Sequence, residues 1–323
     1  MKKTMKKTLM VLVAGLFLFS GSLALAAEKI KVGVSVPSAD HGWTAGLLWW
    51  AKKAVADIEA TDKDVTFYVV AASSGTKQVG DVEDLMVKGI DALVILPHNP
   101  STLQKVVEEV YASGIYTVVV DRELPEPAQH VFIAGDNPGL GKVGAEWLAE
   151  EMGGKGKLVV LEGMSIPINK QRVDAFNEVM KNYPDIEIMD SQPADWSTQK
   201  ALALMENYLQ KHKQIDAVWC QDDDMLKGVM QAIKEAGRTD IKTVLGGAGS
   251  KDIIKMIMDD DPLVRSTVTY NPSMVASGIV FGVQGARGET VGGLYHTPSR
   301  VILAADLVVK ENAKDFYFPE SAY

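Results

Sequence analysis

"IDALVILPHNPSTLQKVVEEVYASGIYTVVVDR", residues 90–122, changes its apolar period twice. IDALVIL is a run too short for a helix and rich in branched side chains, which reads as a strand buried on both faces. The following STLQKVVEEVYASG has helical spacing, with Ser101 the expected cap and Gly114 the expected stop. A second buried run, YTVVVD, then closes the stretch. Strand, helix and strand in this order make a βαβ unit, which is right-handed and requires a parallel sheet.

The same rhythm extends in both directions. KIKVGVSV (29–36) and DVTFYVV (64–70) precede the unit, trailed by the helical stretches LLWWAKKAVADIEA and QVGDVEDLMVKG. After HVFIAGDN (130–137) it restarts with KLVVLEG, IEIMDSQ, IDAVWCQ and IKTVLGG. Nine or ten such units exceed what one doubly wound sheet comfortably holds. The expected fold class is therefore α/β, with two similar parallel-sheet domains. No low-complexity linker separates them, so close, paired crossovers are expected.

The first residues give a lysine-bearing start, an apolar run from Leu9 to Phe19, and small residues at Ala24 and Ala26. That pattern predicts a secretory signal peptide over residues 1–26 and export to a periplasm. Of 33 basic residues, Lys2, Lys3, Lys6 and Lys7 leave with it, so 29 face 42 acidic ones and the formal charge falls from −9 to −13. Such a balance argues against a nucleic-acid partner. Cys220 is the single cysteine, so no internal disulfide can form.

In open α/β sheets ligands sit beyond the carboxyl ends of the strands. The residues there are Asp40, His41 and Trp43 after the first strand, His98 and Asn99 after the third, and Asp121 and Arg122 after the fourth. The second half adds Arg172, Asp195, Trp196, Gln221, Asp222, Asp223, Tyr270 and Asn271. Flat aromatic faces alternate with carboxylates, amides and guanidinium groups. This mixture suits stacking on the C–H face of a sugar or polyol while pairing its hydroxyls.

In DALVILPHNPSTL, VVVDRELP, SQPADW and QDDDMLKGVMQAIKEAGR the chain resembles the type I periplasmic solute-binding proteins of the ribose- and galactose-binding group, which feed ABC importers. The resemblance implies two Rossmann-like lobes joined by a three-segment hinge, with ligand held between them. It divides the chain into a first lobe of residues 27–134 and 271–299 and a second of 135–270 and 300–323. Carried over by position, the ligand-binding residues are His41, Trp43, His98, Asp121, Arg122, Arg172, Trp196, Asp222 and Tyr270. Two departures stand out: Gly247 and Ala248 occupy positions where relatives carry an aromatic and an aspartate, and Tyr270 replaces a customary amide. Ribose itself is therefore not the expected ligand.

The implied function is capture of a pentose-like monosaccharide or a sugar alcohol by hinge closure, as a monomer serving a membrane permease or a chemoreceptor. No cofactor, metal or enzymatic activity is expected. The competing enzyme reading is an exported glycosidase with Asp121 and Asp222 as its carboxylate pair. GLGKVG (139–144) fits a dinucleotide-binding pattern, but the reading favoured here is close helix packing beside a crossover. Histidines 41, 98, 130, 212 and 296 lack zinc-ligand spacing, and the DDD runs at 222 and 259 lack the alternation of a calcium loop. Trp219 and Cys220 read as core, and Trp49 and Trp50 as packing residues of the first helix. The C-terminal tail is expected to pack on the second lobe.

Overall fold

The computed structural model describes residues 29–288 and 298–323. The expected signal peptide and residues 289–297, His296 among them, lie outside these.

The first sheet is built from β1 (Ile30–Pro37), β2 (Val65–Ala72), β3 (Ala92–Ile95), β4 (Tyr116–Val120), β5 (Val131–Gly135) and a late strand, β11 (Arg300–Leu303). Among the described residues their order is β11-β5-β4-β3-β1-β2, and every pairing is parallel. The order reverses at β1 and β3, leaving a crevice at the carboxyl ends where the crossovers diverge. Both faces of this sheet are covered. Leu93, Ile95 and Val119 pack under α2 (Gly75–Val87) and α3 (Pro100–Ala112), whereas Val32, Val34, Val94 and Val118 face α1 (Gly42–Thr61) and α9 (Met274–Ala286). That two-sided burial is why the strands read as unbroken apolar runs.

The α3 cap falls two residues before Ser101. Asn99 Oδ1 accepts the Thr102 N–H at 3.0 Å, and Pro100 occupies the first turn, where its missing N–H leaves no bond unmade. Gly114 lies just past the helix at φ +81°, as a stop residue should.

The second sheet contains β6 (Lys155–Glu162), β7 (Asp185–Pro193), β8 (Ala217–Cys220) and β9 (Thr243–Leu245), in the order β7-β6-β8-β9 and again parallel. One face carries α4 (Asn137–Glu151) and α5 (Pro167–Met180), and the other α6 (Thr198–Lys211) and α7 (Asp223–Ala236). Trp219 is 1% exposed and stacked on Phe176 at 3.8 Å, and Cys220 is fully buried. In GLGKVG, a Cβ on Gly141 would stand 2.1 Å from the Arg172 carbonyl oxygen. Glycine there lets α4 lie directly on α5.

The chain crosses between the sheets after β5, between β10 (Thr267–Val268) and α9, and between β11 and β12 (Leu307–Val308). The crossings are laced together. Asp136 N–H donates to the Leu303 carbonyl at 2.9 Å, Thr269 N–H to that of Asp306 at 2.9 Å, and Asp306 N–H to Thr269 Oγ1 at 2.8 Å. Because β11 pairs with β5, residues 300–303 belong to the first sheet, and the final crossing comes after Leu303. One hydrophobic cluster runs through this region, from Val34, Leu47 and Val120 to Leu140, Phe176 and Trp219.

The tail departs from expectation. Its helix α10 (Ala313–Phe316) packs on α8 (Lys251–Met258) of the second lobe, but the chain then returns to the first. Phe318 meets the Trp50 ring edge-on at 5.5 Å, and Tyr323 packs against Gly46 of α1. Trp49 and Trp50 contact each other at 4.9 Å, in a packing arrangement.

Candidate functional site

A cavity lies between the lobes, lined by His41, Trp43, Asp121, Arg122, Ile168, Arg172, Trp196, Asp222, Ala248 and Tyr270. The first lobe supplies His41 and Trp43 from the cap and first turn of α1, and Asp121 and Arg122 from the end of β4. The second supplies Ile168 and Arg172 on α5, Trp196 after β7, Asp222 after β8 and Ala248 after β9. Tyr270 comes from the second crossing.

Several of these residues are held in a conformation that L side chains seldom adopt. Asp121 (φ +63°), Trp196 (+55°) and Ala248 (+78°) lie beyond the carboxyl ends of the strands, where sharp turns set lining residues in place. Such backbone persists only where the surroundings enforce it.

Trp43 is 7% exposed, and its indole N–H donates to the Tyr270 carbonyl at 2.8 Å. With that polar edge satisfied, a ring face remains for the cavity. Trp196, 8% exposed, lies on the backbone of Gly163, where a Cβ would approach its Cε2 to 2.2 Å. Glycine at 163 is thus a condition of the ring's position.

The polar groups form a connected set. The Arg122 Nε stands 3.7 Å from Asp121 Oδ2, while its Nη1 donates to the His98 carbonyl at 2.7 Å. Arg172 donates through Nε to Asn137 Oδ1 at 2.8 Å, and its guanidinium lies 4.4 Å from the centre of the Tyr270 ring. Asp222 caps α7, with Oδ1 accepting the Met225 N–H at 2.8 Å. Burial pushes the Asp222 carboxyl well above the usual range, Asp224 and Asp223 push it further, and Arg172 opposes the shift. His41 Nδ1 lies 2.6 Å from Asp40 Oδ1, and that hydrogen bond holds the Asp40 carboxyl well below its ordinary value.

Eight of the nine residues selected from sequence thus meet around one cavity, and His98 is not in its lining. His98 contributes its backbone instead: its N–H donates to Gln78 Oε1 at 2.6 Å and its carbonyl receives Arg122. Ile168 and Ala248 were not selected, since aliphatic side chains carry no chemical signature. Only the departure at 248 hinted at that position. Asp223 was among the post-strand residues but is turned away, accepting the Gly247 and Ser250 N–H groups at 2.8 and 2.6 Å. Among the described residues, no group of three or more His, Cys, Asp or Glu side chains is arranged to hold a metal ion.

Residues 32–283 match the family model described as a periplasmic binding protein domain. The chain is 30% identical to the ribose import binding protein RbsB of Bacillus subtilis over 77% of its own length and 78% of the relative's. It is also 30% identical to the galactofuranose-binding protein YtfQ of Escherichia coli, over 82% and 84% of the two lengths. Among solved structures it is similar to an ABC transporter solute binding protein from Mycobacterium smegmatis with bound glycerol. That likeness has a TM-score of 0.79 at 29% identity and covers 91% of this chain and 98% of that one. With the match spanning both lobes and all but the last crossing, the chain belongs to the periplasmic binding protein domain family.

Proposed function

We propose that this protein is exported through its N-terminal leader and captures a neutral monosaccharide or sugar alcohol of about pentose size by closing its lobes, then delivers it to the permease of an ABC importer. One observation carries the reading. The rings of Trp43, Trp196 and Tyr270, drawn from both lobes and a crossing, line one cavity together with the guanidiniums of Arg122 and Arg172 and the carboxyls of Asp121 and Asp222. Rings of this kind stack on C–H faces, and the guanidiniums and carboxyls donate to and accept from hydroxyls. The relatives named for ribose and galactofuranose, and the one holding glycerol, have polyhydroxylated ligands in common.

Closure follows from the division of contacts. Ligand between Trp43 and Asp121 on one side and Trp196 and Arg172 on the other makes its full set of bonds only when the lobes meet, so it biases the equilibrium toward the closed form. The protein acts in this reading as a monomeric binder without cofactor. A chemoreceptor could read the same closed form. Asp121 and Asp222, the pair a glycosidase would need, are each committed within the protein, to Tyr270 and to the α7 cap.

A thermal-shift screen over pentoses, hexoses and polyols tests the proposal. At least one neutral polyol should raise the melting temperature and be recovered unchanged after prolonged incubation. Stabilisation by charged solutes only, or conversion of the sugar, would overturn it.

A further inference from the structure

Three consecutive acids open α7, and their side chains diverge. Asp222 caps the helix beside the cavity, and Asp223 holds the Gly247 and Ser250 N–H groups and the Thr267 hydroxyl within its own lobe. Asp224, 5% exposed, reaches the other lobe. Its Oδ2 accepts the Trp43 N–H at 3.2 Å, in the first turn of α1. A helix start offers unpaired N–H groups and the positive end of its dipole, so a carboxylate is well placed there.

The fit is close on both sides. A Cβ on Gly42 would stand 2.4, 2.7 and 2.9 Å from Asp224 Oδ1, Oδ2 and Cγ, and these are its three nearest atoms. The first lobe therefore presents bare backbone where the carboxylate of the second lobe lands. Neither Gly42 nor Asp224 lines the cavity. The contact lies behind Trp43, which is also anchored through its indole N–H to the Tyr270 carbonyl at 2.8 Å.

We propose that Asp224 and Gly42 form a closing latch, a contact between lobes that stabilises the closed arrangement without ligand and sets Trp43 in position for capture. Asp224 is a positioning residue that acts on the cavity through the first turn of α1. The proposal rests on the reading of the protein as a binder that closes about a hinge.

The test uses the full exported chain, ligand-free, with spin labels at Thr76→Cys in α2 and Gln199→Cys in α6, exposed positions on opposite lobes. Cys220 is buried and its thiol is pushed well up by burial, so it stays unlabelled. Electron–electron distance measurements should show a short-distance, closed population. Asp224→Ala and Gly42→Ala should each lower the closed-to-open ratio about tenfold, the scale of one hydrogen bond to a charged group. Alanine is a better helix former than glycine, so Gly42→Ala does not threaten the fold. The double variant should be no more open than Asp224→Ala, because the carboxylate atoms that a methyl at position 42 would strike are gone. Single variants that match the parent, a parent with no closed population, or additive effects in the double variant would overturn the latch. Since no ligand is present, a chain that shows this pattern yet binds no polyol would overturn the function and leave the latch standing.

Discussion

The Tyr270 hydroxyl donates to Asp121 Oδ1 at 2.6 Å, tying the second crossing to the loop after β4. It also accepts from Asn137 Nδ2 at 3.2 Å, so one phenol joins both lobes and a crossing. Burial, and next the Asp121 charge, push the phenol far above its ordinary range, which keeps it a donor at working pH. Tyr270→Phe keeps the ring but leaves both partners unmet inside the protein. Denaturant unfolding should show a loss of about 1–3 kcal/mol, and an unchanged midpoint would mean that the bond does not hold the crossing.

Trp196 offers a test that never touches the ring itself. Gly163→Ala places a methyl 2.2 Å from Cε2 of the indole, so the ring must move. Affinity for whichever polyol the thermal screen identifies should fall by about tenfold, the worth of one aromatic contact, with the circular dichroism spectrum unaltered. Calorimetric binding equal to the parent's would remove Trp196 from the ligand platform.

Trp43 and Trp49 lie less than two turns apart on α1 and should behave oppositely. Trp43 lines the cavity, whereas Trp49 packs on Trp50. Trp43→Ala is expected to weaken ligand binding at least tenfold, while Trp49→Ala leaves it within about twofold, on the same aromatic-contact scale. Asp121→Ala and Arg122→Ala, which break the charge pair at 3.7 Å, should abolish measurable binding by calorimetry while the chain remains folded.

Asp223 gives the fold a pH dependence of definite sign. Burial raises its carboxyl from 3.8 to about 7, against the pull of the Ser250, Thr267 and Gly247 donors. The folded chain thus keeps a proton that the unfolded chain has released. Sign follows directly: this contribution is fully present below pH 3.8 and declines as pH rises to about 7. Carbon-13 titration of the Asp223 carboxyl should give a midpoint near 7. A midpoint at the ordinary value of 3.8 would show that the donors fully offset burial.

The alternation of strand and helix was legible because it is a local property, fixed by which side chains can be buried on two faces. The strand-exit rule then found most of the cavity. His98 follows a strand as Arg122 does, yet its backbone is what the neighbouring guanidinium engages. No side-chain pattern reports that. Ser101 was displaced as cap because Asn99 and Pro100 begin the helix earlier, a choice among adjacent residues that only backbone geometry decides. Asp224 was hidden for a deeper reason. Its partner is 181 positions away and meets it across two lobes, whereas the sequence shows only a run of acids at a helix start.

The hydrophobic cluster that passes from Val34 and Leu47 to Phe176 and Trp219 has a thermodynamic consequence. Neither lobe can melt without exposing apolar surface that the other relies on, so the two behave as one cooperative unit. Scanning calorimetry should record one endotherm whose van't Hoff and calorimetric enthalpies agree. The two lobes would then come apart only as a whole.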